Sequence, residues 1–215
     1  MVTGTPAVFP QWALEVIRTV VRSFSRLCWS LKHYGIENIP LEGGLIIASN
    51  HQTYFDAFWI SLPVFRPVRY LAWDGAFDWP VVGRALGLLG AWPLQVERSD
   101  PAAIRRSIQW LKSGGVLVIF PEGARSASDG AMNRFKAGAA RLALEANVPI
   151  LPVTIRGANR VWPRYQQWPK LAPVEIIYHK PYRIEPLTGE ETRACARRQT
   201  ETLAHTIESA LHEEV

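Results

Sequence analysis

The chain predicts an α/β fold, a mixed central sheet flanked by helices, and three observations predict it. Apolar runs at 45–48, 68–72, 116–120 and 150–155 are too short for helices and too apolar for solvated loops, so they read as buried strands. Helix-patterned segments at 55–62, 79–89, 101–112 and 136–146 alternate with them, the rhythm of α/β layers. The first 35 residues stand apart as an amphipathic helical anchor, leaving 36–215 as the α/β domain.

Each element has a local reason. Residues 1–10 form a loose leader with two prolines. From 11 to about 33, Trp12, Val16, Val20, Leu27 and Leu31 recur at helical spacing, while Arg18, Arg22 and Arg26, four apart, make a cationic stripe. A basic, Trp-bearing amphipathic helix suits an anionic membrane surface; packing on its own domain with a solvated Arg face is the alternative. Residues 34–40 read as an edge strand and turn, and Gly43-Gly44 as the turn into the strand at 45–48. Pro63 or Pro67 ends the helix begun at 55. Residues 91–96 return to the sheet. Asp100-Pro101 caps a helix that Gly114-Gly115 closes. A strand at 175–178 and a charged amphipathic helix from 190, marked by Cys195, Leu203, Ile207 and Leu211, complete the chain.

At 215 residues the chain is long enough for a real core, and its net charge of +5 favours anionic partners. Cys28 and Cys195 are far apart and in no metal spacing, which points to a reducing compartment. No charged n-region leads into an apolar stretch and no run of 18 apolar residues occurs, so neither a signal peptide nor a spanning helix is expected. No metal and no cofactor are expected: there is no P-loop and no His-Glu-x-x-His. Residues 156–173 interleave Arg156, Arg160, Arg164 and Lys170 with Trp162, Tyr165 and Trp168, a composition that could lie on a membrane, stack on nucleic acid or be an ordered loop.

Chemistry concentrates at two strand exits, where open α/β sheets place their ligand crevice. Past the strand at 45–48 come Asn50, His51 and, five residues on, Asp56. That spacing puts the two side chains roughly 140° apart on an ideal helix. They meet only if His51 lies in the turn before the helix and Asp56 one turn inside it, as a general base with its orienting carboxylate. Past the strand at 116–120 comes Pro121-Glu122-Gly123-Ala124-Arg125-Ser126, with a Gly for close backbone approach and an Arg that can grip an oxyanion through two donors.

Together these motifs resemble the glycerolipid acyltransferase family, the enzymes that acylate lysophosphatidic acid and other lysophospholipids. The first block is Asn-His-x4-Asp, here Asn50, His51 and Asp56; the third is Phe-Pro-Glu-Gly-Thr-Arg-Ser, here 120–126 with Ala124 in place of Thr; the fourth is matched by Val148-Pro149-Ile150-Leu151-Pro152. The second block departs: Arg98 follows Gly90 by eight positions, where the family usually has six. The resemblance implies His51 as the base, Asp56 as its partner, and a phosphate-bearing acceptor held by Asn50, Arg98, Glu122, Gly123, Arg125 and Ser126, with Lys136 a further cation. It implies an acyl-carrier-protein or coenzyme A thioester as donor and a lysophospholipid as acceptor. It also implies a peripheral enzyme on the cytoplasmic face of a membrane, attached through the N-terminal helix and the 156–173 loop, with no nucleic-acid partner. The helices at 55–62 and 79–89 are expected to line the acyl groove. A thioesterase would use the same His and Asp, but no Gly-x-Ser-x-Gly elbow is present.

Overall fold

The computed structural model describes residues 9–95, 100–127, 129–163 and 166–212. Seven strands form one sheet: β1 (Lys32–Tyr34), β2 (Leu45–Ser49), β3 (Val68–Trp73), β4 (Ala91–Leu94), β5 (Val116–Ile119), β6 (Ile150–Arg156) and β7 (Glu175–Tyr178). Their order is β1-β7-β6-β2-β5-β3-β4, and only the β6–β7 pairing is antiparallel. The helices are α1 (Gln11–Trp29), α2 (Asp56–Ser61), α3 (Val82–Leu88), α4 (Pro101–Lys112), α5 (Gly138–Ala146), α6 (Ala158–Val161) and α7 (Thr192–His212).

The central strands are apolar on both faces because both faces are covered. Leu45 and Ile47 of β2 join Val116 and Val118 of β5 in a core with Trp29, Trp59 and Ile60, under α1 and α2. Ile46, Ala48, Leu117 and Ile119 point the other way, into a core with Leu111, Ala139, Leu142, Leu203 and Ile207 from α4, α5 and α7. At the entry to β2, a Cβ on Gly44 would collide with the Leu111 carbonyl, so this approach to the end of α4 requires glycine.

Tertiary pairing moves several boundaries. α1 stops at Trp29 rather than near 33, because Ser30 turns left-handed (φ 44°) and β7 captures the chain: the Lys32 N–H donates to the Val174 carbonyl and the Val174 N–H to that of Trp29. The edge strand is therefore 32–34 rather than part of 34–40, and residues 32–34 of the expected anchor belong to the sheet. The segment 79–89 is helical only over Val82–Leu88, after a 3₁₀ turn at Asp74–Asp78. Lys136 stays outside α5, its N–H donating to the Pro121 carbonyl. α4 starts as expected, with the Asp100 carboxylate accepting from the Ala103 N–H at 2.9 Å.

On α1 the apolar stripe lies outward, the side the membrane reading needs free, and Arg18 and Arg22 lie toward the domain. Trp12, Val16, Val20, Phe24 and Leu27 face solvent, whereas Arg18 pairs with Glu15 and lies over the Phe65 ring, and Arg22 donates to the Leu62 carbonyl. The helix is held from its other side, where Ser25 accepts from the Trp59 indole and Trp29 is buried.

Candidate active site

β2 and β5 lie parallel with Ala48 level with Ile119. Carrying that register three residues beyond this pair brings His51 beside Glu122, and the His51 N–H donates to Glu122 Oε1 at 2.7 Å. A second clasp closes the same junction, where the Ser126 N–H donates to the His51 carbonyl at 2.6 Å. The two polar motifs, remote in sequence, thus share one crevice at the carboxyl edge of the sheet.

Within it, His51 Nδ1 lies 2.9 Å from Asp56 Oδ2. Asp56 is fully buried and is the first residue of α2, one turn earlier than expected. Its Oδ2 also accepts from the Gln52 and Thr53 N–H groups, and its Oδ1 accepts from the Thr53 hydroxyl at 2.6 Å. The Gln52 and Thr53 N–H groups and the Thr53 hydroxyl donate to this carboxylate, and as its fourth donor His51 carries the proton on Nδ1 and the lone pair on Nε2. The imidazole also stacks on Phe120, centroids 4.1 Å apart, and keeps 21% of its side chain exposed. A ring held on one face and at one nitrogen, with the other nitrogen open, is arranged to take a proton from a ligand.

Three of the residues expected to touch an acceptor have protein partners instead. Asn50 extends the β2–β6 pairing past the strand end, its side chain accepting from the Ile155 N–H and donating to the Ile155 carbonyl. Glu122 accepts from the His51 N–H, the Ser126 hydroxyl and the Asn133 N–H. Burial pushes its carboxyl up from the ordinary range, and those same donors pull it back. Ser126 is spent on Glu122. These groups fix the crevice walls.

Gly123 turns through the left-handed region at φ 72°, which a side chain disfavours. Arg125 stands apart from the clasp, its guanidinium carbon 3.8 Å from the centre of the Tyr54 ring. Among the described residues it has no acidic partner, and its Nη1 is buried without a hydrogen bond. Lys136 is exposed beside the β5 exit. Arg98 lies outside the described residues, as do Arg164 and Tyr165 of the basic aromatic loop. Among the described residues no group of three His, Cys, Asp or Glu could hold a metal ion.

Beside α2 a cavity of about 240 Å³ opens between α1 and the sheet, its walls mainly apolar (Ile17, Val21, Phe58, Leu62, Val68, Leu89), with Glu15, Arg18 and Arg66 also in the lining. A neighbouring groove of about 420 Å³ runs along Pro80, Val81, Ala85 and Leu88. Phe58 and the 80–89 stretch come from the two segments expected to line an acyl groove.

Sequence reasoning missed Thr53 and Phe120 as parts of the site. The Thr53-x-x-Asp56 spacing, that of a helix-start capping pair, signalled the first. Phe120 was legible as the first residue of the third block, but a strand-end Phe reads as core and nothing local signals its stacking on His51.

Comparison with known proteins agrees with this geometry. Residues 30–156 match the family model "Acyltransferase". The chain is 32% identical over 153 residues to the chloroplastic 1-acyl-sn-glycerol-3-phosphate acyltransferase BAT2 of Brassica napus, covering 68% of this chain and 43% of that protein. It is 32% identical over 168 residues to the 1-acyl-sn-glycerol-3-phosphate acyltransferase of Pseudomonas aeruginosa, covering 75% of this chain and 62% of that one. The chain thus spans about half the length of these relatives. The crystal structure of the 1-acyl-sn-glycerophosphate (LPA) acyltransferase PlsC from Thermotoga maritima superposes with a TM-score of 0.74 at 25% identity, covering 95% of this chain and 81% of that one. With the strand-end His–Asp pair, the shared crevice and the family match over 30–156, the chain belongs to the acyltransferase family.

Proposed function

We propose that this chain transfers a fatty acyl group from an acyl thioester, on acyl-carrier protein or coenzyme A, to the free hydroxyl of lysophosphatidic acid, forming phosphatidic acid. The observation that carries this reading is the His51–Asp56 pair, its imidazole partly exposed and the Arg125 loop clasped to its backbone through Ser126. His51 Nε2 takes the proton of the acceptor hydroxyl as its oxygen attacks the thioester carbonyl. The tetrahedral intermediate then collapses, the carbon–sulfur bond breaks, and the imidazolium returns the proton to the leaving thiolate. Asp56 holds the tautomer and stabilises the transient cation.

No acyl-enzyme is needed. Ser49 bonds Asn50, Ser126 bonds Glu122 and Thr53 bonds Asp56, so none of these hydroxyls serves Nε2 as a nucleophile. Arg125, with Arg98 and Lys136, supplies positive charge for the acceptor phosphate, and Gly123 lets it approach the backbone. Asn50, Glu122 and Ser126 act by holding these groups in place. The mainly apolar cavity between α1, α2 and β3 receives the acyl chain.

Among the described residues no helix is long and apolar enough to cross a membrane. The lipid substrate is met at the bilayer surface, on the cytoplasmic face, through the exposed apolar stripe of α1 and the exposed Trp168 and Leu171.

The test is incubation with labelled acyl-carrier-protein and coenzyme A thioesters against a panel of lysolipids. Labelled phosphatidic acid from lysophosphatidic acid supports the assignment. Acylation of another lysolipid alone, or release of free fatty acid alone, contradicts it.

A further inference from the structure

Among the described residues Arg125 has no carboxylate to hold its guanidinium in place. Glu122, three residues before it, is committed to the His51 and Asn133 N–H groups and the Ser126 hydroxyl. The backbone around Arg125 is fixed, since Asn133 donates to its carbonyl and the next residue clasps His51. Its Nη1 is buried without a hydrogen bond, so the side chain is ordered by some other contact.

What lies against it is an aromatic face. The guanidinium carbon sits 3.8 Å from the centre of the Tyr54 ring, close enough for direct stacking. Tyr54 belongs to the turn between His51 and Asp56, whose neighbouring N–H groups at Gln52 and Thr53 are both tied to the Asp56 carboxylate. The ring is in turn braced edge-on by Trp162, 5.3 Å away at 74°, and Trp162 packs on Phe55 at 5.2 Å. Trp162 comes from the basic aromatic stretch 156–173, which the catalytic pair leaves otherwise unexplained.

We infer that Tyr54 is a positioning residue that holds the Arg125 guanidinium by its flat face so that its N–H edge stays free for the acceptor's phosphate. The inference rests on the lysophosphatidic-acid reading above. A carboxylate in the same place would fix the arginine by consuming the donors and the charge that the phosphate needs. An aromatic face orders the cation and leaves both available. Trp162 braces that face, and so couples the 156–173 stretch to acceptor affinity rather than to the chemical step.

The test compares wild type, Tyr54→Phe and Tyr54→Leu on lysophosphatidic acid and on an uncharged monoacylglycerol, with melting temperatures for each and with Arg125→Met as a second background. Tyr54→Phe is expected to keep its KM within about twofold. Tyr54→Leu is expected to raise KM for the phosphate-bearing acceptor roughly 3- to 20-fold, on the scale of a cation–aromatic contact. Its kcat and its KM for the uncharged acceptor should be unchanged, and the substitution should add nothing in the Arg125→Met background. An unchanged KM in Tyr54→Leu, an equal loss in Tyr54→Phe, or a loss confined to kcat overturns the role of Tyr54 while leaving the acyltransferase assignment intact. A wild-type enzyme that acylates only the uncharged acceptor overturns both.

Discussion

The Ser126 N–H donates to the His51 carbonyl at 2.6 Å, a bond between the residue after the anion-gripping arginine and the proposed base, 75 positions apart by sequence number. It exists because β2 and β5 are parallel neighbours in fixed register, so whatever follows each strand emerges at the same height. The two strand exits, one carrying His51 and the other Arg125, are thereby built on one edge of the sheet.

Replacing Asp56 by Asn removes an acceptor from a site where four donors converge. One donor then faces an amide NH₂, and His51 loses the partner that fixes its tautomer. The expected outcome is a fall in kcat on the order of 10²- to 10⁴-fold, with a stability loss of roughly 1–3 kcal/mol. Steady-state kinetics and urea denaturation of the variant check both.

Glu122→Gln separates a clamp from a contact with substrate. As a clamp, Glu122 satisfies backbone donors from two loops, and the amide leaves one of them unsatisfied. The expected result is roughly 1–3 kcal/mol of lost stability and lower activity on every acceptor, charged or not. An unchanged melting temperature with a raised KM for phosphate-bearing acceptors alone would show that Glu122 touches the substrate instead.

Much of the fold was legible because β2 and β5 are apolar on both faces, the signature of a strand covered on both sides, and because Asp100-Pro101 and Gly114-Gly115 bracket α4 with local chemistry. The His51–Asp56 pairing was legible as a condition, His51 in the turn and Asp56 on the helix, and drew its meaning from the second motif at 121–126. The edge strand at 32–34 did not, since Lys-His-Tyr has no strand pattern and extends only because β7 offers it a partner. Which side of α1 meets the domain was left open by its pattern, because that side is held by Val21, Ser25, Cys28, Trp29 and two arginines whose partners are remote in sequence. The committed state of Asn50 and Glu122 depends on which strand lies alongside, and no local pattern carries that.

His33 adds a pH dependence to stability. The Tyr178 hydroxyl donates to the Ile60 carbonyl at 2.7 Å, so the His33 Nδ1 beside it must be the donor of their shared contact. Burial, with Arg22 and Arg26 nearby, lowers the His33 pKa to about 4. Below about 6.5 the unfolded chain takes a proton that the folded chain refuses, so stability falls as pH drops toward 4 and is regained as pH rises. Denaturation at pH 7 and pH 4.5 should show a loss of roughly 2–3 kcal/mol from this group, absent in His33→Phe.

The α1 stripe gives a surface prediction. Leu27 is 84% exposed and Val20 62%, so Val20→Glu with Leu27→Glu leaves the core residues in place. Release from anionic phospholipid vesicles with an unchanged melting temperature is expected in a sedimentation assay. Undiminished binding would place the lipid contact elsewhere.

The most direct measurement is the turnover number of His51→Ala for acyl transfer from thioester to lysophosphatidic acid, with circular dichroism to show that the variant remains folded. With Nε2 of His51 as the base, kcat falls roughly 10²- to 10⁴-fold. A folded His51→Ala protein that turns over at near wild-type rate would contradict the mechanism.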